Sequence, residues 1–171
     1  MKSQYIDKTS MSHVLALLTP ENRAIIDLSI RYGLRVGDVL ALKREQIQRR
    51  SFTITEEKTG KKRRMKIPEK LAISLMAYSS ARDIYIFPHR LTHFDHRTRQ
   101  AVYKDIRRAA VALRMKEHVS PHSARKIYAV NLYRKTGDLE KVQTALNHTS
   151  LAVTMIYALS DELTKRSKSM Q

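Results

Sequence analysis

His122 and Arg125 stand three residues apart in Ser120-Pro121-His122-Ser123-Ala124-Arg125. On a helix that spacing puts both side chains on one face. Ser-Pro is a helix-start signal, so the pair falls in a first turn, where backbone N–H groups and the helix dipole favour an anion. Alone, the pair also reads as a surface histidine and a salt-bridging arginine. His148, in Leu146-Asn147-His148, precedes Tyr157 by nine residues, with a Thr149-Ser150 turn and a helix start between them. A turn of that kind can fold Tyr157 back towards His148. Alone, Tyr157 reads first as a core aromatic and His148 as a helix-end histidine.

Two further groups carry chemistry-bearing side chains. In Tyr32-Gly33-Leu34-Arg35-Val36-Gly37-Asp38, Arg35 follows a helix-breaking glycine, and Asp38 is spaced to hold it by a bidentate pair. The plainer alternative is an intrahelical ion pair of little energetic weight. Lys58 sits at a turn and is followed by Lys61, Lys62, Arg63, Arg64 and Lys66. A basic hairpin of this kind can enter a DNA groove or track phosphates. His89, His93 and His96 share one face if helical and would then suit zinc. Pro88 and Phe94-Asp95 favour a loop, and no fourth ligand is evident, so contact of Arg90, Arg97 and Arg99 with a DNA backbone is the better reading.

The elements that must position these residues are legible from period and punctuation. Thr19-Pro20-Glu21 opens a helix in which Ala24, Ile25, Leu28 and Tyr32 recur, and Gly33 ends it. A second helix is predicted over about 36–45. Phe52 and Ile54 then alternate with polar residues, as do Met65 and Ile67, predicting two strands joined by a turn at Glu57–Lys61. Pro68-Glu69 opens a helix to about Tyr78, and Ile84–Phe87 form a short buried segment. Val102, Ile106, Ala109 and Leu113 mark an amphipathic helix over about 98–114. Ser120-Pro121 starts a helix ending at Gly137, Asp138 caps one to about Ala145, and Ser150 caps the last, which carries Tyr157. The expectation is a mainly α domain with a small antiparallel β-hairpin (α+β), one unit over 1–171, with a polar lead-in over 1–14 and a basic tail over 160–171.

Composition narrows the function classes. The chain has 171 residues, 33 Lys and Arg against 16 Asp and Glu, and a net charge of +17. So large a basic excess points to a polyanion, with nucleic acid as the default partner. There is no cysteine, which removes disulfides and cysteine-based zinc sites. No apolar run reaches membrane-spanning length, and the N-terminus lacks the apolar stretch of a secretion signal. A cytoplasmic location fits best.

Taken together, the series Arg35…Lys58…His122-x-x-Arg125…His148…Tyr157 resembles the catalytic domain of tyrosine recombinases of the phage-integrase/Xer type, over about residues 15–160. The resemblance implies a bacterial or phage-encoded enzyme for DNA integration or recombination, acting through a 3′-phosphotyrosine. Tyr157 would be the nucleophile, Arg35 and Arg125 the paired phosphate-binding arginines, and Lys58 the general acid. His122 would take the phenol proton, His148 would hydrogen-bond the phosphate, and Asp38 would support Arg35. Lys61, Lys62, Arg63, Arg64, Arg97 and Arg99 would contact DNA. No cofactor or metal is expected, because two guanidinium groups neutralise the phosphate. The implied partners are double-stranded DNA and further copies, as a tetramer on DNA and a monomer alone. The family's Leu-Gly-His reads Leu146-Asn147-His148 here, Ala124 replaces a usual leucine, and the family's separate N-terminal DNA-binding domain is expected to be absent. The alternatives are a recombinase-fold DNA-binding regulator that no longer cuts, and a type IB topoisomerase-like nicking-closing enzyme.

Overall fold

Proline and glycine punctuate the elements as the pattern predicts. The computed structural model describes residues 3–55, 60 and 62–162. In chain order the elements are α1 (Lys8–Ala16), α2 (Pro20–Tyr32), α3 (Val36–Leu40), α4 (Arg44–Gln48), β1 (Ser51–Thr55), β2 (Lys62–Lys66), α5 (Glu69–Met76), α6 (Arg99–Ala112), α7 (Pro121–Thr136), α8 (Leu139–Leu146) and α9 (Leu151–Ala158). The expected mainly helical fold with one antiparallel hairpin is what the chain forms. The hairpin turn, with Lys58 and Lys61, lies outside the described residues.

The chain divides into two compact units, Met1–Arg35 with Val102–Gln171, and Val36–Ala101. In the first unit α2 packs on α7, and α7, α8 and α9 pack on one another. Ala129, Val142, Leu146 and Ala158 form their shared core, with Tyr128, Leu132, Tyr133, Leu139 and Tyr157 packed against it. α2 ends as expected at Gly33, whose φ of 65° is left-handed. A Cβ at Gly33 would lie 2.5 Å from the Tyr128 ring. Glycine is therefore required there twice, by backbone conformation and by space. α1 corrects the reading of this stretch as lead-in: Asp7 accepts from the Ser10 amide and caps the helix, and Met11 and Val14 are buried. α6 buries Val102, Ile106 and Ala109 as predicted, but it ends at Ala112, leaving Leu113 exposed.

The second unit holds α3, α4, the hairpin and α5. β1 and β2 pair in register from Ser51 with Lys66 to Thr55 with Lys62. The single helix predicted over 36–45 is broken into α3 and α4. Lys43 between them is extended, at φ −86° and ψ 149°, and bridges to Tyr85. The Ile86 amide donates to Leu42 and the Arg44 amide to Ile84, so pairing with a distant segment overrides local helix propensity. Within that segment Ile86 and Phe87 are buried, while Ile84 is exposed. The loop after Phe87 carries His89, His93 and His96, which do not share a helix face. His93 pairs with Asp83 at 2.7 Å, and His96 packs edge-on against Tyr85. Among the described residues, no group of three or more His, Cys, Asp or Glu is arranged to hold a metal ion.

No helix among the described residues is long and apolar enough to cross a membrane.

Candidate active site

α7 carries the first part of the site, and its start is tightly fixed. Ser120 caps it, accepting from the His122 amide at 3.3 Å, while the Ser123 hydroxyl accepts from the Ser120 amide at 3.2 Å. This reciprocal capping satisfies N–H groups that a helix start otherwise leaves unpaired. It presents His122 to solvent and turns Arg125 inward, where the side chain is only 2 % exposed.

Arg125 joins three segments. Its Nη1 donates to the Gly33 carbonyl at 2.5 Å and its Nη2 to the Leu146 carbonyl at 2.9 Å. The first acceptor lies at the end of α2, two residues before Arg35. The second lies at the end of α8, two residues before His148. A guanidinium offers five N–H donors in a rigid plane, which suits it to this bracing. The loop carrying Arg35 and the turn carrying His148 are thus tied to the same side chain.

The turn after α8 depends on Asn147. Its φ of 54° and ψ of 46° are left-handed, and the His148 amide donates back to Gln143 at 3.0 Å. This is a helix-ending turn that glycine usually serves and asparagine tolerates. Asn147 in place of the usual glycine therefore keeps the required backbone. Ser150 occupies the N-cap position of α9 without forming the expected side-chain cap. Its carbonyl instead accepts from the Thr154 hydroxyl at 3.1 Å.

Tyr157 is brought back towards α7 and the α8 end. Its hydroxyl lies 3.4 Å from His122 Nδ1. Its ring meets the His148 ring edge-to-face, with centroids 5.0 Å apart and an interplanar angle of 77°. The Lys126 Nζ stands 5.6 Å from the ring centroid. Burial raises the Tyr157 phenol above its usual range, and the charges of Arg125 and Arg35 oppose that shift. For His148, burial first and then Arg125 and Arg35 lower the pKa to about 4, so the ring is neutral at pH 7. Its Nδ1 lies 3.3 Å from the buried Thr154 hydroxyl. Because that hydroxyl has one hydrogen and gives it to Ser150, Nδ1 is the donor in this pair.

Five of the predicted residues, Arg35, His122, Arg125, His148 and Tyr157, therefore belong to one unit, and all five are linked by direct contacts or by charge acting on Tyr157 and His148. Asp38 is buried in α3 of the second unit. Lys62 and Arg64 are exposed on β2, and Lys58 and Lys61 fall outside the described residues. Arg97 is partly buried, with Nε sealed from solvent. Arg99 lays its guanidinium 2.5–2.8 Å from where a Cβ on Gly37 would be. Sequence reasoning missed Thr154 and Lys126. A threonine three residues before the tyrosine on the same helix was available as a signal for Thr154. Lys126 is one of 33 basic residues and had none.

Known proteins resemble this chain in sequence and in fold. The phage integrase family model matches residues 4–163. The chain is 34% identical over 140 residues to the probable integrase/recombinase YoeC of Bacillus subtilis, covering 80% of this chain and 76% of that protein. It is 30% identical over 145 residues to the tyrosine recombinase XerC of Xanthomonas campestris pv. campestris, covering 82% of this chain and 44% of that one. The chain thus spans less than half the length of XerC. Among solved structures, XerA recombinase superposes with a TM-score of 0.73 at 22% identity, over 99% of this chain and 66% of that one. A lambda integrase dimer bound to a COC′ core site gives 0.71 at 18% identity, over 92% and 48%.

Proposed function

This chain belongs to the phage integrase family, and from that premise we propose that it cleaves and rejoins double-stranded DNA through a 3′-phosphotyrosyl intermediate on Tyr157. The observation that carries the reading is the contact of the Tyr157 hydroxyl with His122, within the field of Arg125 and Arg35. The solved lambda integrase relative bound to its core site adds to it.

In this reading the Tyr157 oxygen attacks the scissile phosphorus as its proton passes to His122. A phosphorus–oxygen bond to tyrosine forms, and the bond to the deoxyribose 5′-oxygen breaks. A free phenol has a pKa near about 10, so the proton acceptor matters at neutral pH. Lys58 protonates the leaving oxygen. Arg35 and Arg125 stabilise the charge that builds on the non-bridging oxygens, and His148 hydrogen-bonds the same phosphate through Nε2 once its ring takes up a proton beside the bound anion. Asp38 supports Arg35. The phosphotyrosine retains the bond energy, so a 5′-hydroxyl of another strand reverses the step. Lys61, Lys62, Arg63, Arg64, Arg97 and Arg99 contact the DNA backbone, consistent with a net charge of +17. The same proposal includes assembly on DNA as a tetramer from a monomer in solution.

A nicked suicide substrate tests the reading. The expected result is a denaturant-resistant protein–DNA adduct that disappears in Tyr157→Phe. DNA binding with no adduct would identify a silent regulator instead. Supercoil relaxation without strand exchange would identify a nicking-closing enzyme.

A further inference from the structure

Lys126 follows Arg125 on α7 and has no part in the chemistry above. Its side chain is half-buried, and its Nζ donates to the Ser3 carbonyl at 2.7 Å. The same ammonium stands 5.6 Å from the centroid of the Tyr157 ring. That is within the range over which a cation is attracted by an aromatic face, and the attraction grows as water is excluded.

The segment that holds Lys126 is itself fixed to the start of α7. The Ser123 hydroxyl donates to the Gln4 carbonyl at 2.6 Å, and Ser3 Oγ lies 3.2 Å from Ser123 Oγ. The Gln4 amide donates to the His118 carbonyl at 3.0 Å, and Gln4 Oε1 accepts from the His118 amide at 2.5 Å. Residues 3–4 therefore form a strap across the capped end of α7. The Ser3 carbonyl at the end of that strap sets where the ammonium sits.

We propose that Lys126 is a positioning residue for Tyr157: anchored by the Ser3–Gln4 strap, its ammonium faces the phenol ring and holds it, as charge develops on the ring, in line with the phosphate. The inference rests on the phosphotyrosine reading above. Deprotonation spreads negative charge into the ring, so a cation near the ring favours the phenolate over the phenol. The other charged or titratable groups near Tyr157 are His122 and Arg125 on α7, His148 after α8, and Arg35 after α2. Lys126 differs from His122, which meets the hydroxyl, and from His148, which meets the ring edge-to-face but is neutral at pH 7.

Single-turnover adduct formation on the suicide substrate, measured against pH, tests the proposal with wild type, Lys126→Gln and Lys126→Arg. At pH 7, Lys126→Gln is expected to slow adduct formation about tenfold, a factor matching the attraction of one partly desolvated cation for a ring. DNA affinity stays at the wild-type value, the rate deficit narrows as pH rises, and Lys126→Arg recovers most of the rate. A Lys126→Gln rate equal to wild type overturns the proposal. So does a loss that is the same at every pH and is matched by lost DNA affinity, which would make Lys126 a phosphate contact. Lys126→Met keeps the aliphatic stem and replaces Lys126→Gln if the latter melts below the assay temperature. Unfolding of both assigns Lys126 to stability and also overturns it. If wild type itself forms no adduct, the phosphotyrosine reading fails; if wild type reacts and the variants match it, only the role of Lys126 fails.

Discussion

The Tyr157 hydroxyl lies 3.4 Å from His122 Nδ1, although 35 positions separate the two in sequence. The contact is long for a hydrogen bond, as catalytic pairs often are before substrate binds. With His122 accepting the phenol proton, His122→Ala is expected to lower the cleavage rate on the order of 10²-fold or more. DNA binding should change little. A single-turnover rate near wild type would remove His122 from proton transfer.

Thr154 is fully buried and sits 3.3 Å from His148 Nδ1. It fixes which imidazole nitrogen carries the proton. Thr154→Val nearly preserves the shape and removes the hydroxyl. The expected cost is about 1 kcal/mol of stability, together with a fall in cleavage rate larger than that loss explains. Thr154→Ser should restore the rate. Thermal melts run beside adduct assays separate the two effects.

His148 ties stability to pH. Its folded pKa is lowered to about 4 by burial, then by Arg125 and Arg35, against about 6.5 unfolded. The unfolded chain then binds more protons between those values, so this contribution is complete above about pH 6.5 and is lost as pH falls towards about 4. The ceiling is about 3 kcal/mol, lessened because the ring is not fully sealed from solvent. Melting temperature should drop between pH 7 and pH 5, and His148→Gln should flatten that drop. An unchanged slope in the variant would contradict the shift.

Gly33 is left-handed, its missing Cβ leaves room for the Tyr128 ring, and its carbonyl accepts from Arg125. Gly33→Ala should cost about 2 kcal/mol or more, lowering the melting temperature by about 4–8 °C for a chain of this size. Because the carbonyl shifts with the backbone, cleavage should fall as well.

Asn147 gives a complementary test at a left-handed position with φ 54°. Asn147→Gly should be neutral or mildly stabilising, whereas Asn147→Ala should cost about 1 kcal/mol. Equal melting temperatures for the two variants would mean that the backbone does not set the residue here.

How much of this was legible depended on where each signal was stored. α2 and α7 were readable because Pro20, Gly33, Pro121 and Gly137 mark their ends in residue type. The break at Lys43 was not, because it follows from backbone pairing with Tyr85. α1 was obscured by its many polar residues, with Asp7 as the only cap signal. At the site, the ordered series from Arg35 to Tyr157 carried the candidates. The bracing by Arg125 did not show, because carbonyls of Gly33 and Leu146 leave no mark in a sequence. Lys126 was hidden by its abundance, since one lysine among many basic residues becomes distinctive only when the Tyr157 ring is placed beside it.

α9 carries Tyr157 and leaves Leu151, Val153, Met155 and Ile156 exposed, with Ile156 the most open of the four at 53%. Water meets the Tyr157 helix largely as hydrocarbon, a surface open to self-association. Concentrated samples should self-associate more readily on warming or in kosmotropic salt, and a single Ile156→Lys change should raise the solubility limit.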